Sequence, residues 1–355
     1  MQDDCQVARG TTVLPRPEVA HPLLLMPTAT PPRDLQPAST RWLGRVLAAL
    51  GLLVIGALIA KAGPSNVLHA IERVGWSFVP IVLAPIVGMV LHGWGWLVLL
   101  PRAARPTAKA ALWAQVAAQA GDELGAGVAG EPLKLAATNR AFRSRALVAL
   151  AVDNVAQVIA VGVFLLTASC ALRMQYPDLR SSALGLMAVA GALLVSVGIA
   201  LPMLMAGAIQ RSRLRTYAWG ARLLHTLNTT RMFMRRRPRK VLGSVLLHGL
   251  GKAWIVPEMA LALTLLGASS SASLWLAPMS VLGSLLGTMI PGQAGAVEVA
   301  LALGGTLAGV DPPTVMALAL LRRLRTGFWI VVGGVLVRRV IKEGESPERS
   351  SRIAP

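Results

Sequence analysis

Six apolar segments set the terms for what this chain can fold into. They cover roughly 44–60, 78–100, 146–171, 183–209, 241–266 and 314–337. About 20 mostly apolar residues are what an α-helix needs to cross the hydrocarbon core of a bilayer. The first segment is short, and Lys61 at its end can snorkel to the interface. Only 14% of the chain is charged, against roughly 25% in an ordinary soluble domain. The expectation is therefore an all-α, polytopic membrane protein. The net charge of +19 is large for so few charges, so the basic residues must be concentrated, and they are concentrated between the apolar segments.

Two further apolar regions are too interrupted to span. Residues 110–125 are broken by Gln, Asp, Glu and Gly, and lead into GAGVAGEPLK. Residues 274–309 form two arms separated by PGQAG within IPGQAGAVE. Each arm is about 15 residues, roughly 22 Å at the helical rise, short of the roughly 30 Å of hydrocarbon. Loop charge says how they lie, because cytoplasmic loops carry an excess of Lys and Arg. Arg102, Arg105 and Lys109 precede the first region; Lys134, Arg140, Arg143 and Arg145 follow it. A single crossing would put these clusters on opposite sides. A re-entrant hairpin entering from the cytoplasm keeps them together. Residues 210–240 hold ten Lys or Arg and no acid, so they read as a cytoplasmic basic loop. The span 241–266 then leads outward and 314–337 leads back to Arg338, Arg339 and Lys342. Residues 274–309 must enter and leave on the outer side, as a second hairpin.

The expected architecture is thus about six spans plus two re-entrant helical hairpins. It divides into units of about 44–171 and 183–337, each with three spans, so the second unit is inverted relative to the first. Residues 1–40 are Pro-rich and read as a disordered cytoplasmic tail, 41–337 as the membrane domain, and 338–355 as a second cytoplasmic tail. Gly127 and Gly130 mark the first tip; Pro291, Gly292 and Gly295 mark the second. Glycine permits positive φ there, and the helix that follows each tip presents free N–H groups favourable to anions.

Ionisable residues at membrane depth are the candidate site residues. Arg322, Arg323 and Arg325 in the last span suit bidentate phosphate binding, or structural pairing with Asp153 or Glu298. Asp153, beside Asn154, is a proton or ion site, or a counter-charge for an arginine. Glu131 and Glu298 stand in first helical turns, where the dipole favours an acid, or where a coupling role is open to them. His248 and Lys252 share a helix face, near Glu258, either as an internal polar patch or as a lining of a substrate path. Nothing resembles a nucleophile elbow, a Walker loop or a dinucleotide fingerprint. Cys5 and Cys170 form no disulfide or metal framework. No catalytic residues, metal or cofactor are expected, nor binding to nucleic acid.

GPSNVLHAIERVGW, VAGEPLKLAATNR and IPGQAGAVEVALALGGTLAGVDPPTVMALALLRRLR resemble the flippase-like transmembrane domain of lysylphosphatidylglycerol synthases over roughly 62–337. Stand-alone bacterial proteins share that domain, one of them associated with hopanoid biosynthesis. The resemblance maps Gly130, Glu131 and Lys134 onto the family's first motif. It maps Pro291, Gly292, Gly295, Glu298 and Arg322 or Arg323 onto its second. Ala126 stands where the family often has proline. The resemblance implies a multi-pass inner-membrane protein, both termini cytoplasmic, that moves polar-headed or polyprenyl-type lipids between leaflets. The substrate would be held by Arg322, Arg323 and Arg325 with Lys252, Asp153, Glu298, Glu131 and Lys134. Its partners would be membrane lipids. The alternative is a non-transporting subunit that recruits a lipid- or hopanoid-pathway enzyme. The synthases carry a soluble catalytic domain after the membrane region, and only a short tail follows the last span here, so no aminoacyl transfer is expected.

Overall fold

In hydrocarbon a backbone N–H or C=O has no water to bond, so the apolar stretches resolve into helices. The structure, a computed structural model, describes residues 63–124, 130–138, 142–176, 182–212, 216–288 and 290–345, with 53, 56, 57 and 59–61. The N-terminal tail, most of the first apolar segment, Gly127 and residues 346–355 lie outside the described residues. Among the described residues there is no strand, and the protein is an all-α polytopic membrane protein.

The helices are α1 (Pro64–Val74), α2 (Phe78–Leu83), α3 (Pro85–Leu99), α4 (Ala108–Leu124), α5 (Glu131–Ala136), α6 (Arg143–Gln175) and α7 (Ser182–Arg211). They continue as α8 (Ala218–Arg236), α9 (Pro238–Ala253), α10 (Ile255–Leu265), α11 (Ser273–Leu286), α12 (Ala296–Ala308) and α13 (Pro312–Glu345). Among the described residues three stretches, Pro64–Leu99, Arg143–Gln175 and Ser182–Arg211, are long and apolar enough to cross a membrane. Over the other two expected spans the apolar runs are interrupted by charge, by Lys252 in α9 and Glu258 in α10 and by arginines in α13. With 34 residues, α13 is roughly 51 Å long at the helical rise, and its apolar run is interrupted by Arg322, Arg323 and Arg325.

Exposure is inverted relative to a water-soluble protein. Lys134, Asp153, His248 and Glu298 are buried, whereas Leu242, Leu246 and Leu250 form an exposed i, i+4, i+8 stripe on α9. Leu186, Val189, Leu193 and Val197 do the same on α7. An apolar exterior, with the few membrane-depth charges turned into the apolar core, is the arrangement lipid demands.

Small residues bring the helices together, as expected where lipid supplies no hydrophobic drive between them. A Cβ on Gly162 of α6 would lie 2.7 Å from the Gly191 carbonyl of α7. One on Gly333 of α13 would lie 2.4 Å from the Ala120 Cβ of α4. Buried alanines at 110, 111, 114, 117, 118 and 120 make α4 thin enough to seat there. The principal packing pairs α3 with α9, α4 with α13, α6 with α7 and α9, and α11 with α12. α11 also rests on α6, so the first arm of each interrupted region touches the last span of the other unit.

Two details differ from the sequence reading, and one, a kink that Pro257 leads one to expect, agrees with it. The basic segment 210–240 contains α8, which packs on α7 and α6. Its Phe233 and Met234 join the buried cluster around Trp96, an apolar face masked by the surrounding arginines. The segment 241–266 is two helices, broken at Trp254. Pro257 lacks an N–H and its ring displaces the Ala253 carbonyl one turn back. The Trp254 indole donates to the Ala84 carbonyl at 2.8 Å and the Trp329 indole to that of Val82 at 2.9 Å, fastening the α2–α3 break. Finally, α13 runs past 337 to Glu345.

The basic segments converge at one end. Lys109 and Arg339 both lie over the Trp113 ring, at 4.6 and 5.5 Å. Lys240 is held below the ordinary lysine range by partial desolvation and then by Arg237, Arg105 and Arg102. The 101–109, 237–240 and 338–339 segments therefore share one face.

Gly333→Leu should separate α4 from α13 and destabilise the protein by about 1–3 kcal/mol. Thermal unfolding in detergent reads this, with Gly334→Leu as the control, because a Cβ at 334 meets nothing within 4 Å.

Candidate functional site

The two interrupted regions meet in the interior. α4 ends at Leu124, and the chain returns at Gly130, whose N–H donates to Asp122 Oδ1 at 2.9 Å. A Cβ on Gly130 would fall 2.0 Å from the Ala118 carbonyl, so only glycine lets the returning chain lie on α4. The second region turns through Pro291–Gln293, with Gly292 at φ 64° and Gly295 at φ 84°. Glycine adopts those values without strain. The Gly295 N–H donates to Glu298 Oε2 at 2.9 Å. In both tips, then, a carboxylate near a helix end accepts a glycine N–H.

Arg323 fastens the second tip. Its Nε donates to Glu298 Oε1 at 2.5 Å and its Nη2 to Glu298 Oε2 at 2.9 Å. Nη2 also donates to the Gln293 carbonyl at 3.1 Å, and Nη1 donates to the Gly292 carbonyl. A planar guanidinium can satisfy a carboxylate and two freed carbonyls together, which an ammonium cannot. Arg325 Nη1 donates to Glu258 Oε2 at 2.7 Å, joining α13 to α10.

Beside these pairs lies a cavity of about 440 Å³. His92 of α3, Asp122 and Glu123 of α4, Gln157 of α6, Lys252 of α9, Glu258 of α10, Gln293 of the tip, and Arg322, Arg325 and Trp329 of α13 line it. The position of a Cβ on Gly292 is 3.9 Å from the Glu123 carbonyl, so the second tip abuts the end of α4 at the cavity wall. Arg322 Nη1 is buried without a hydrogen-bond partner. Lys252 makes no hydrogen bond or close ion pair among the described residues, though the Glu123 and Glu258 carboxylates act on it. Two cations thus face one interior volume, where the Glu123 and Glu258 carboxylates act on both.

Behind the wall runs a buried polar chain. Lys134 Nζ lies 3.5 Å from Glu131 Oε1 and 3.4 Å from Asp153 Oδ2. Gln157 donates to Asp153 Oδ2 at 3.1 Å, and His248 Nε2 meets Asp153 Oδ1 at 2.7 Å. His248 Nδ1 meets His92 Nδ1 at 2.7 Å. Close helix approach makes room for the rings: a Cβ on Gly95 would be 2.7 Å from His248, and one on Gly251 3.0 Å from His92.

The residues singled out in the sequence therefore fall into three places. Arg322, Arg325 and Lys252 line the cavity. Arg323, Glu298, Gly292 and Gly295 build the second tip, which Pro291 opens. Glu131, Lys134 and Asp153 form the buried chain, and Gly130 closes onto Asp122. Asp153 has Lys134 and His248 as partners, where the sequence pointed to an arginine. Sequence reasoning did not single out His92, Asp122, Glu123 or Gln157. Each is an ionisable or polar group within an apolar stretch, and that signal could have found them. Among the described residues no group of three or more His, Cys, Asp or Glu could hold a metal.

Arg323→Ala should leave Glu298 as an unpaired buried carboxylate and cost about 3–5 kcal/mol of stability. Arg323→Lys should recover little of it. Adding Glu298→Gln to Arg323→Ala should cost much less than the sum of the two single changes, because the two residues act as one unit. Thermal unfolding of the four proteins checks this.

A family model for the lysylphosphatidylglycerol synthase TM region matches residues 42–334. That range contains both tips, the cavity and the buried chain. No curated protein and no solved structure matches the chain. The family is one of membrane proteins of lipid modification or transport. The chain belongs to the family of lysylphosphatidylglycerol synthase TM regions.

Proposed function

We propose that this protein is an inner-membrane lipid flippase, a transporter and not an enzyme, that takes an anionic lipid headgroup into the cavity between its two tips. One observation carries the reading: Arg322 Nη1 is buried without a partner, on the wall it shares with unpartnered Lys252. A buried donor without a partner costs stability, and a native fold tolerates it where something else supplies the acceptor. Phosphate oxygens suit a guanidinium and an ammonium together. Arg325 stands one turn away, tied to Glu258.

Size supports the same assignment. About 440 Å³ lies within the range of small-ligand pockets. It holds a phosphate-bearing headgroup but not two acyl chains, which would stay in the bilayer. The cross-packing of α4 on α13 and α11 on α6 suits two inverted units that rock about a site at their interface. In this reading the shared basic face is cytoplasmic, and Arg323 holds the tip in shape rather than touching lipid. Polar-headed phospholipids and polyprenyl phosphates present the same phosphate chemistry, and both are candidate substrates.

The test is leaflet exchange of a fluorescent phosphatidylglycerol in proteoliposomes. The native protein should accelerate exchange over protein-free vesicles. Arg322→Ala with Lys252→Ala should slow it by about tenfold or more, since each hydrogen bond to a charged group is worth about 1.5–3 kcal/mol. Full exchange by the folded double variant would remove the site assignment. No exchange by the native protein, with a lipid-pathway enzyme co-purifying in stoichiometric amount, would favour the recruiting-subunit alternative.

A further inference from the structure

The buried chain ends on the cavity at one side and on the first tip at the other, and its chemistry is that of a proton path. Asp153 is fully buried. Its Oδ1 meets His248 Nε2 at 2.7 Å, and its Oδ2 takes Gln157 at 3.1 Å and Lys134 at 3.4 Å. An ionised carboxylate only accepts, so His248 Nε2 carries the hydrogen. Neutral His248 then has a lone pair on Nδ1, and the 2.7 Å contact with His92 Nδ1 requires His92 to carry its hydrogen there. His92 Nε2 is left as a bare base with no protein partner among the described residues, on a ring that lines the cavity. His248 and Asp153 do not line it. The donor order of the whole chain is thus fixed by its far end.

We propose that His92, His248 and Asp153 form a proton-binding relay that couples the cavity to the α5 arm. A proton from the cavity bonds to His92 Nε2. The hydrogen on His92 Nδ1 passes to His248 Nδ1, and the hydrogen on His248 Nε2 passes to Asp153 Oδ1. One proton has entered, both imidazoles are neutral again in the opposite tautomer, and Asp153 is a neutral acid. The His92–His248 and His248–Asp153 hydrogen bonds survive with their direction reversed, while Gln157 and Lys134 go on donating to Asp153 Oδ2. Lys134 on α5 then loses its counter-charge at 3.4 Å and keeps Glu131 at 3.5 Å, with Asp122 farther off. Proton load on the relay therefore acts on the returning arm of the first tip.

The charges that face the relay come from each packed element. Lys252 of α9, Asp122 of α4, and Lys134 and Glu131 of α5 surround it, with Gln157 of α6 bound to Asp153. Lys252 lines the same cavity as His92, and like charges repel, which suits passage of a proton over its storage at the cavity. An anionic headgroup beside Lys252 would ease that entry, so proton uptake and substrate binding help one another. The coupling half of this inference rests on the transport reading above; the proton site itself does not.

Two measurements separate the two. In nanodiscs, ¹⁵N-histidine spectra followed from neutral pH downward should show His92 and His248 changing together. Asp153→Asn should abolish that shared transition. Rings that stay fixed across the range, or that titrate identically in Asp153→Asn, would overturn the proton site whether or not lipid moves. In proteoliposomes, one proton per lipid under a gradient of one pH unit sustains up to about a tenfold leaflet excess of fluorescent phosphatidylglycerol. His248→Gln, and His92→Gln at the less buried end, should return the gradient-driven ratio to about one. Exchange by the native protein that ignores the gradient would overturn the coupling while leaving the flippase reading intact.

Discussion

A carbonyl left unbonded in hydrocarbon costs several kcal/mol, and that cost decides where this chain can stop being helical. Around the second tip it stops at Pro291–Gln293, and the carbonyls of Gly292 and Gln293 are released. Arg323 accepts responsibility for both while gripping Glu298 through two bonds. Glu298 in turn takes the Gly295 N–H and starts α12. The rest of the interior follows from having such a tip. α13 must carry a guanidinium at that depth, α12 must present an acid in its first turn, and a cavity opens where the tip meets α4.

Not all interior charges have the same standing. Arg323 and Glu298 answer one another, as do Arg325 and Glu258, and such pairs hold the helices in register. Asp153 satisfies Lys134 and His248 at once. Arg322 and Lys252 have no such partner. Glu123 and Glu258 act on them only at longer range, so two cations in one cavity leave the bilayer protein destabilised unless a ligand or water bonds them. This distinction between closed pairs and open cations separates the scaffold from the proposed site on α9 and α13.

Hydropathy and loop charge made the helical class, the interrupted regions and the common face of the basic loops readable, because each depends on local composition. The Arg–Glu298 pairing was also within reach, being one of the alternatives open for the arginines. Asp153 was harder. Whether it meets an arginine, a lysine or a histidine depends on how α5 and α9 are rotated against α6, which no local pattern records. Asp122 and Glu123 read as mere breaks in an apolar run, since their role comes from the second tip arriving beside them. His92 was silent as one polar residue among glycines, tryptophans and leucines. The helix α8 was hidden by its own arginines, its apolar face visible only once Phe233 and Met234 have a core to join.

The central claim is that Arg322 and Lys252 await an anionic headgroup. A cryo-electron microscopy structure of the protein in nanodiscs rich in phosphatidylglycerol tests it most directly. Headgroup density is expected in the cavity, with phosphate oxygens within hydrogen-bond distance of Arg322 Nη1 and Lys252 Nζ and acyl chains leaving toward the bilayer. A cavity holding only water, with Arg322 turned to Glu123 and lipid confined to the periphery, would contradict it.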